Sequence, residues 1–140
     1  MKLRRTMLDT NVLSEILRPG GDKGVVAFVS SLPDPWVSAV TFHELAFGLE
    51  LLPPGRRRSS LDDGISAFRE KFKDRTIPID RSVAALSGRM RADEMRAGFR
   101  LTPLDAMIAA SARAASARLA TRNTTDFVRL GVPLVDPWEA

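Results

Sequence analysis

The stretch Thr6-Met7-Leu8-Asp9-Thr10-Asn11-Val12-Leu13-Ser14-Glu15-Ile16-Leu17 changes its period in the middle. Its first part is a short apolar run, which predicts a buried strand over Arg5 to Leu8. After Asn11, Val12, Leu13, Ile16 and Leu17 return at helical spacing and predict a helix with one apolar face. Pro19-Gly20-Gly21 ends that helix. Asp9 stands at the junction, and the same change from strand to helix recurs down the chain.

Working outward, a helix is expected from Asp22 to Leu32, with Val25, Phe28, Val29 and Leu32 inward and Pro33-Asp34-Pro35 as its break. Trp36 to Val40 reads as a strand. Phe42, Leu45, Leu49 and Leu52 mark a third helix, stopped by Pro53-Pro54-Gly55, and Arg56-Arg57-Arg58 reads as an exposed turn. Leu61, Ile65, Phe68 and Phe72 mark a fourth helix, and Thr76 to Ile79 a brief strand. Asp80 can cap a fifth helix carrying Val83, Leu86 and Met90, which Gly98 ends. Thr102 to Ala115 is a sixth, with a face of small residues suited to close packing on a sheet. Leu119 to Thr121 reads as a strand, Thr124 to Leu130 as a helical turn and Pro133 to Val135 as a last strand. Short strands alternating with helices predict a three-layer α/β/α domain around a short-stranded, mainly parallel central sheet. At 140 residues, with no internal repeat or linker, one domain over residues 1–140 is expected.

The composition is that of an ordinary globular chain, 44% hydrophobic and 27% charged. It contains no cysteine, which excludes disulfides and thiolate metal sites. The basic start Met1-Lys2-Leu3-Arg4-Arg5 is followed by no apolar signal core, because Asp9, Asn11 and Glu15 interrupt it. No apolar run approaches the roughly 18 residues of a membrane span. A cytoplasmic location without membrane contact is therefore expected. The formal net charge of +4 suits either a phosphodiester-binding surface or a plain solvated, Arg-rich one.

Four acids, Asp9, Glu44, Asp105 and Asp126, lie at or just after helix starts. In an open parallel sheet such junctions gather on the carboxyl edge, where ligands bind. An ordinary structural explanation competes. Thr41-x-x-Glu44 has the form of a capping box, Thr102-Pro103-Leu104-Asp105 is similar, and so is Asn123-x-x-Asp126. Asp9 does not fit that explanation, since Thr10 and Asn11 are available to cap the next helix. A carboxylate buried there without a cation is expensive. Clustered carboxylates cannot all ionise without a compensating cation, so the set suggests Mg²⁺ or Mn²⁺, which prefer oxygen ligands. Asp9 and Asp105 are the first candidates for direct ligands. Glu44 and Asp126 would complete the cage, hold water or act as base.

Met7-Leu8-Asp9-Thr10-Asn11-Val12-Leu13-Ser14-Glu15 resembles the opening of PIN-domain ribonucleases of the VapC toxin type. Val40-Thr41-x-x-Glu44-Leu45-x-x-Gly48, Leu104-Asp105-Ala106-Met107-Ile108-Ala109-Ala110 and Ala120-Thr121-Arg122-Asn123-x-x-Asp126-Phe127 resemble their second, third and fourth motifs, in order. Val132-Pro133-Leu134-Val135-Asp136-Pro137-Trp138 is similar to their usual close. The resemblance implies a Mg²⁺-dependent endoribonuclease of a toxin–antitoxin pair, with catalytic acids at Asp9, Glu44, Asp105 and Asp126. It implies a homodimer, a small antitoxin that obstructs the site, and operator DNA bound only through the antitoxin. It also makes Thr10, Asn11 and Asn123 supporting residues. The chain departs from the family pattern in its short first strand and in having Ala117-Arg118 where a glycine is common.

His43, the only histidine, reads as a surface or partner-facing residue, since its neighbour Glu44 points elsewhere on the helix. Trp36 and Trp138 read as core or interface residues. Arg122 stands out among the basic residues because it lies beside the expected pocket. Two other readings remain open at this level: a catalytically silent RNA- or protein-binding module, and a DNA-directed nuclease.

Overall fold

The computed structural model describes residues 5–140, so the basic start at residues 1–4 lies outside the described residues. The strands are β1 (Arg5–Leu8), β2 (Val37–Ser38), β3 (Thr76–Ile77), β4 (Ala117–Ala120) and β5 (Leu134–Val135). The helices are α1 (Thr10–Leu17), α2 (Lys23–Ser31), α3 (Ala39–Leu51), α4 (Arg56–Lys71), α5 (Arg81–Arg96), α6 (Pro103–Ala114) and α7 (Thr124–Phe127).

Strands β1, β4 and β5 form one parallel ladder and β2 and β3 another. A parallel bridge between Met7 and Trp36 joins them: Leu8 donates to the Trp36 carbonyl and Trp36 to the Thr6 carbonyl, each at 2.8 Å. The resulting order is β3-β2-β1-β4-β5, with every neighbouring pair parallel. The chain builds outward from β1 to β3, then returns to lay β4 on the other side of β1. The crevice between β1 and β4, at their carboxyl ends, is the topological switch point where open α/β sheets bind ligands.

Strand alternation divides the core in two. Met7 and its partner Leu119 face one layer, packed with Val83, Met90, Ile108 and Phe127 of α5, α6 and α7. Leu8 and its partner Ala120 face the other, packed with Val12, Val25, Leu45 and Ile65 of α1 to α4. These are the two helical layers of the expected α/β/α sandwich. Helix α6 is small on nearly every side, with Ala106, Ala109, Ala110 and Ala112 fully buried, so it lies close to both the sheet and α5.

Several local expectations change: β3 ends at Ile77 rather than Ile79, and α7 at Phe127 rather than Leu130. The strand read over Trp36 to Val40 stops at Ser38, because the Ser38 hydroxyl caps α3 by accepting from the Val40 amide. Arg56-Arg57-Arg58 is the first turn of α4 rather than a free turn. Strand β4 begins at Ala117, two residues before the apolar signal. Arg118 interrupts that signal, yet it fits the strand by bonding Thr6 and lying over Phe28. Just before β4, Ser116 takes a left-handed backbone (φ 53°) that a glycine would adopt without strain.

Candidate active site

Asp9 ends β1 and caps α1. Its Oδ1 accepts from the Thr10 amide at 2.8 Å and its Oδ2 from the Thr121 hydroxyl at 2.8 Å. This corrects the expectation that Asp9 stands outside a cap position: it is cap and buried acid together, only 5% exposed. Thr121, the residue after β4, is fully buried. Its hydroxyl donates to Asp9 and accepts from the Asn123 amide and the Asn11 side chain. The parallel β1–β4 register places Leu8 beside Ala120, and therefore Asp9 beside Thr121.

Glu44 lies in the second turn of α3 and does not act as a capping-box acid. Ser38 caps that helix, while Thr41 is buried with its hydroxyl 3.1 Å from that of Thr10. The Thr10 hydroxyl donates to Glu44 Oε1 at 2.5 Å, fastening α3 to α1. Asp105 lies in the first turn of α6, whose amide the Thr102 hydroxyl caps as expected. Asp126 lies in α7. Asn123 precedes that helix without a side-chain cap, so the capping form read there is not realised.

Asp9, Glu44 and Asp105 line one open cleft of about 450 Å³, together with Asn11, Glu15, Arg18, Arg122 and Trp138. Asp126 is exposed and outside the lining. Its charge nevertheless reaches Asp105. Among the described residues, no three acids or histidines converge into a closed ion cage.

The electrostatics mark the cleft. Burial pushes the Asp9 carboxyl up to about 6, against the pull of its bonds from Thr121 and Thr10, and the charges of Glu44 and Asp105 add to the rise. Burial likewise raises Asp105; the Thr102 hydroxyl opposes this and the Asp126 charge reinforces it. A divalent cation would relieve both. The donors fit a hard cation: all are oxygens, they come from separate elements, and burial disfavours the uncompensated charge of Asp9 and Asp105.

Glu15 was not singled out in the sequence. It is buried at the cleft wall, and its Oε2 accepts from the Asp22 amide at 2.7 Å and from Arg18 at 2.6 Å. Those donors hold it below the usual carboxylate range, the amide first. Glu15 is thus neutralised within the wall. Its place inside the helical stretch, one turn past Asn11, carries no local sign that it is buried at the cleft. His43 is exposed, as expected.

A PIN-domain family model matches residues 6–133. The chain is 36% identical to toxin FitB of Neisseria gonorrhoeae, over 94% of this chain and 97% of that one. It is 31% identical to VapC ribonuclease Y4jK of Sinorhizobium fredii, over 95% and 97%. The fold superposes on the solved structure of FitAB bound to an IR36 DNA fragment with a TM-score of 0.87, at 35% identity and covering 95% of each chain. The order of motifs, the strand order and these similarities agree: the chain belongs to the PIN-domain family, and within it to the VapC-like toxins.

Proposed function

We propose that this protein is a cytoplasmic, Mg²⁺-dependent endoribonuclease, a single domain over residues 1–140 acting as the toxin of a toxin–antitoxin pair. The observation that carries this reading is Asp9, a buried carboxylate at the sheet's switch point with only neutral hydrogen-bond donors. A bound divalent cation, Mg²⁺ or Mn²⁺ in its place, would be held by Asp9 and Asp105 with Glu44 and Asp126 completing the set, and would activate water and neutralise charge at the scissile phosphate. Thr121 and the Thr10 amide fix both Asp9 oxygens in advance. The Thr10 hydroxyl fixes Glu44, which in this reading takes the proton of the attacking water. Opening the phosphodiester consumes that water, and the departing ribose oxygen leaves with a proton.

The partners follow from the same relationship: an RNA substrate, a second copy of the chain, a small antitoxin, and operator DNA reached through the antitoxin. An apolar groove of about 680 Å³ between α1, α3 and α4 supports the antitoxin. Leu17, Pro19, Leu45, Leu52 and Leu61 line it, and it shares Ser14, Arg18 and Glu44 with the acid cleft. An apolar segment seated there would reach the acids and obstruct them.

The test is RNA cleavage by the purified chain freed of any partner, with Mg²⁺, Mn²⁺ or EDTA, beside Asp9→Asn and Asp105→Asn. Metal-dependent cutting that both variants lose, with unchanged circular dichroism, is expected. Equal cutting by the variants would overturn the assignment. No cutting on a broad RNA panel would favour a silent binding module, and cutting confined to DNA would favour a DNA-directed nuclease.

A further inference from the structure

Two arginines line the acid cleft, and they are engaged differently. Arg18 is tied to Glu15 at 2.6 Å. Arg122 lies instead over the Trp138 ring, its guanidinium carbon 4.9 Å from the ring centre. Its backbone is held in place, the amide 3.4 Å from the Asn11 side-chain oxygen, in the same bonded cluster that positions Asp9. Trp138 is held as well: its amide donates to Asp136 at 2.9 Å and its ring packs on the core. Among the described residues, Arg122 forms no ion pair, although Asp9, Glu15, Glu44 and Asp105 line the same cleft.

A guanidinium laid on an indole keeps its edge donors free while its face is occupied. Here it borders a cleft whose acids form no ion pair with it, although its charge contributes, after the Asp22 amide and Arg18, to holding Glu15 low. A planar, forked cation of this kind matches a phosphate, which it can grip with two parallel hydrogen bonds. We propose that Arg122, set on Trp138, is the binding residue for an RNA backbone phosphate adjoining the one that is cut. It offsets the repulsion between the strand and the acids, and it sets the strand's register over Asp9. This rests on the ribonuclease reading above.

The experiment measures binding of a single-stranded RNA oligonucleotide in EDTA at several salt concentrations, then steady-state cleavage with Mg²⁺, for the partner-free protein and for Arg122→Gln and Arg122→Lys. Arg122→Gln is expected to weaken RNA binding by about tenfold. Loss of one phosphate contact is expected to lower the slope of log K against log salt by about 0.7. KM should rise with kcat much less affected. Arg122→Lys should restore the slope and only part of the affinity, because an ammonium cannot grip a phosphate with two parallel hydrogen bonds. Unchanged binding and slope in Arg122→Gln, with the parent protein cutting RNA normally, would overturn this inference alone. So would weakened binding of an antitoxin peptide with RNA binding intact. A parent protein that neither binds nor cuts RNA would overturn the ribonuclease reading and this inference together.

Discussion

Asp9 and Glu94 are buried to nearly the same degree, 5% and 8% exposed, at opposite kinds of place. Glu94, on α5, receives both Nε and Nη2 of Arg129, at 3.0 and 2.7 Å, and Arg129 in turn lies over Phe99. That joint fastens α5 to the segment after α7 with its charge balanced. Asp9 receives an amide and a hydroxyl, and the charges that act on it are those of the acids Glu44 and Asp105. Burial of a carboxylate is therefore not in itself a mark of function. The mark is burial with hydrogen bonds satisfied and charge left unbalanced, because such a site must either take up a proton or be completed by a cation from outside.

The comparison breaks first on activity. Asp105→Asn is expected to lower the cleavage rate by more than about 100-fold, beyond what supporting residues of metal sites usually contribute. Arg129→Leu should leave the rate per folded molecule unchanged. A loss of rate in Arg129→Leu, measured on protein verified as folded, would erase the distinction between the two regions.

Stability should show the reverse. Arg129→Leu leaves Glu94 buried without its cation, which for a fully buried pair costs about 3–5 kcal/mol. Arg129 is 37% exposed, so solvent reduces this to about 1–3 kcal/mol. Chemical denaturation reads the difference. An unchanged denaturation midpoint would mean that the joint contributes nothing to the fold.

The folded-state carboxyl of Asp9 titrates near 6, above its ordinary 3.8. The folded protein therefore holds a proton that the unfolded chain has released between those values, and stability falls as pH rises through that window. Fully expressed, the shift corresponds to about 3 kcal/mol. In EDTA, the melting temperature should drop between pH 4 and 6.5, and Asp9→Asn should flatten the drop. Saturating Mg²⁺ should also flatten it, by favouring the ionised form. Identical pH profiles for the parent and Asp9→Asn would remove Asp9 as the source.

The smallest effect is expected at Asp126, which is exposed and stands outside the cleft lining. Asp126→Asn removes the charge that helps to raise Asp105, so it should lower the Asp105 pKa. The accompanying loss of rate should be smaller than that of Asp105→Asn. Titration of Asp105 by carboxyl NMR, paired with cleavage rates, measures both. A rate loss equal to that of Asp105→Asn would place Asp126 among the direct ligands.

Much of the molecule is legible along the chain. Apolar periodicity sets out β1, α1, α2, α5 and α6, since each buries a face defined by neighbours in sequence. Pro19-Gly20-Gly21 follows the end of α1, Pro33-Asp34-Pro35 that of α2, and Asp80 caps the start of α5. Asp9, Glu44 and Asp126 stand out because strand-to-helix junctions gather on one sheet edge in a parallel α/β fold, whereas α6, which carries Asp105, follows α5 rather than a strand. Boundaries failed where a side chain from elsewhere settles the matter. The early start of α3 depends on Ser38, which also meets Ser111 of α6 at 3.0 Å. Arg118 is at home in β4 only because Thr6 and Phe28 receive it.

The site divides along the same line. That Asp9 and Asp105 are acids at the starts of helices follows from residue type and position, which are local properties, whereas the burial that raises both carboxyls comes from packing. That Thr121 grips Asp9, that Thr10 rather than a cap engages Glu44, and that Arg122 rests on Trp138 while Arg18 is consumed by Glu15 are products of packing. Thr121 lies 112 residues from Asp9 and Glu44 lies 34 from Thr10. Only the β1–β4 register and the docking of α3 on α1 bring them within bonding distance. Hydrogen bonds and charge pairing act over a few ångströms of space, whatever their separation in the chain. The sequence thus names the acids, and the folded chain determines which of them are left without a counter-charge.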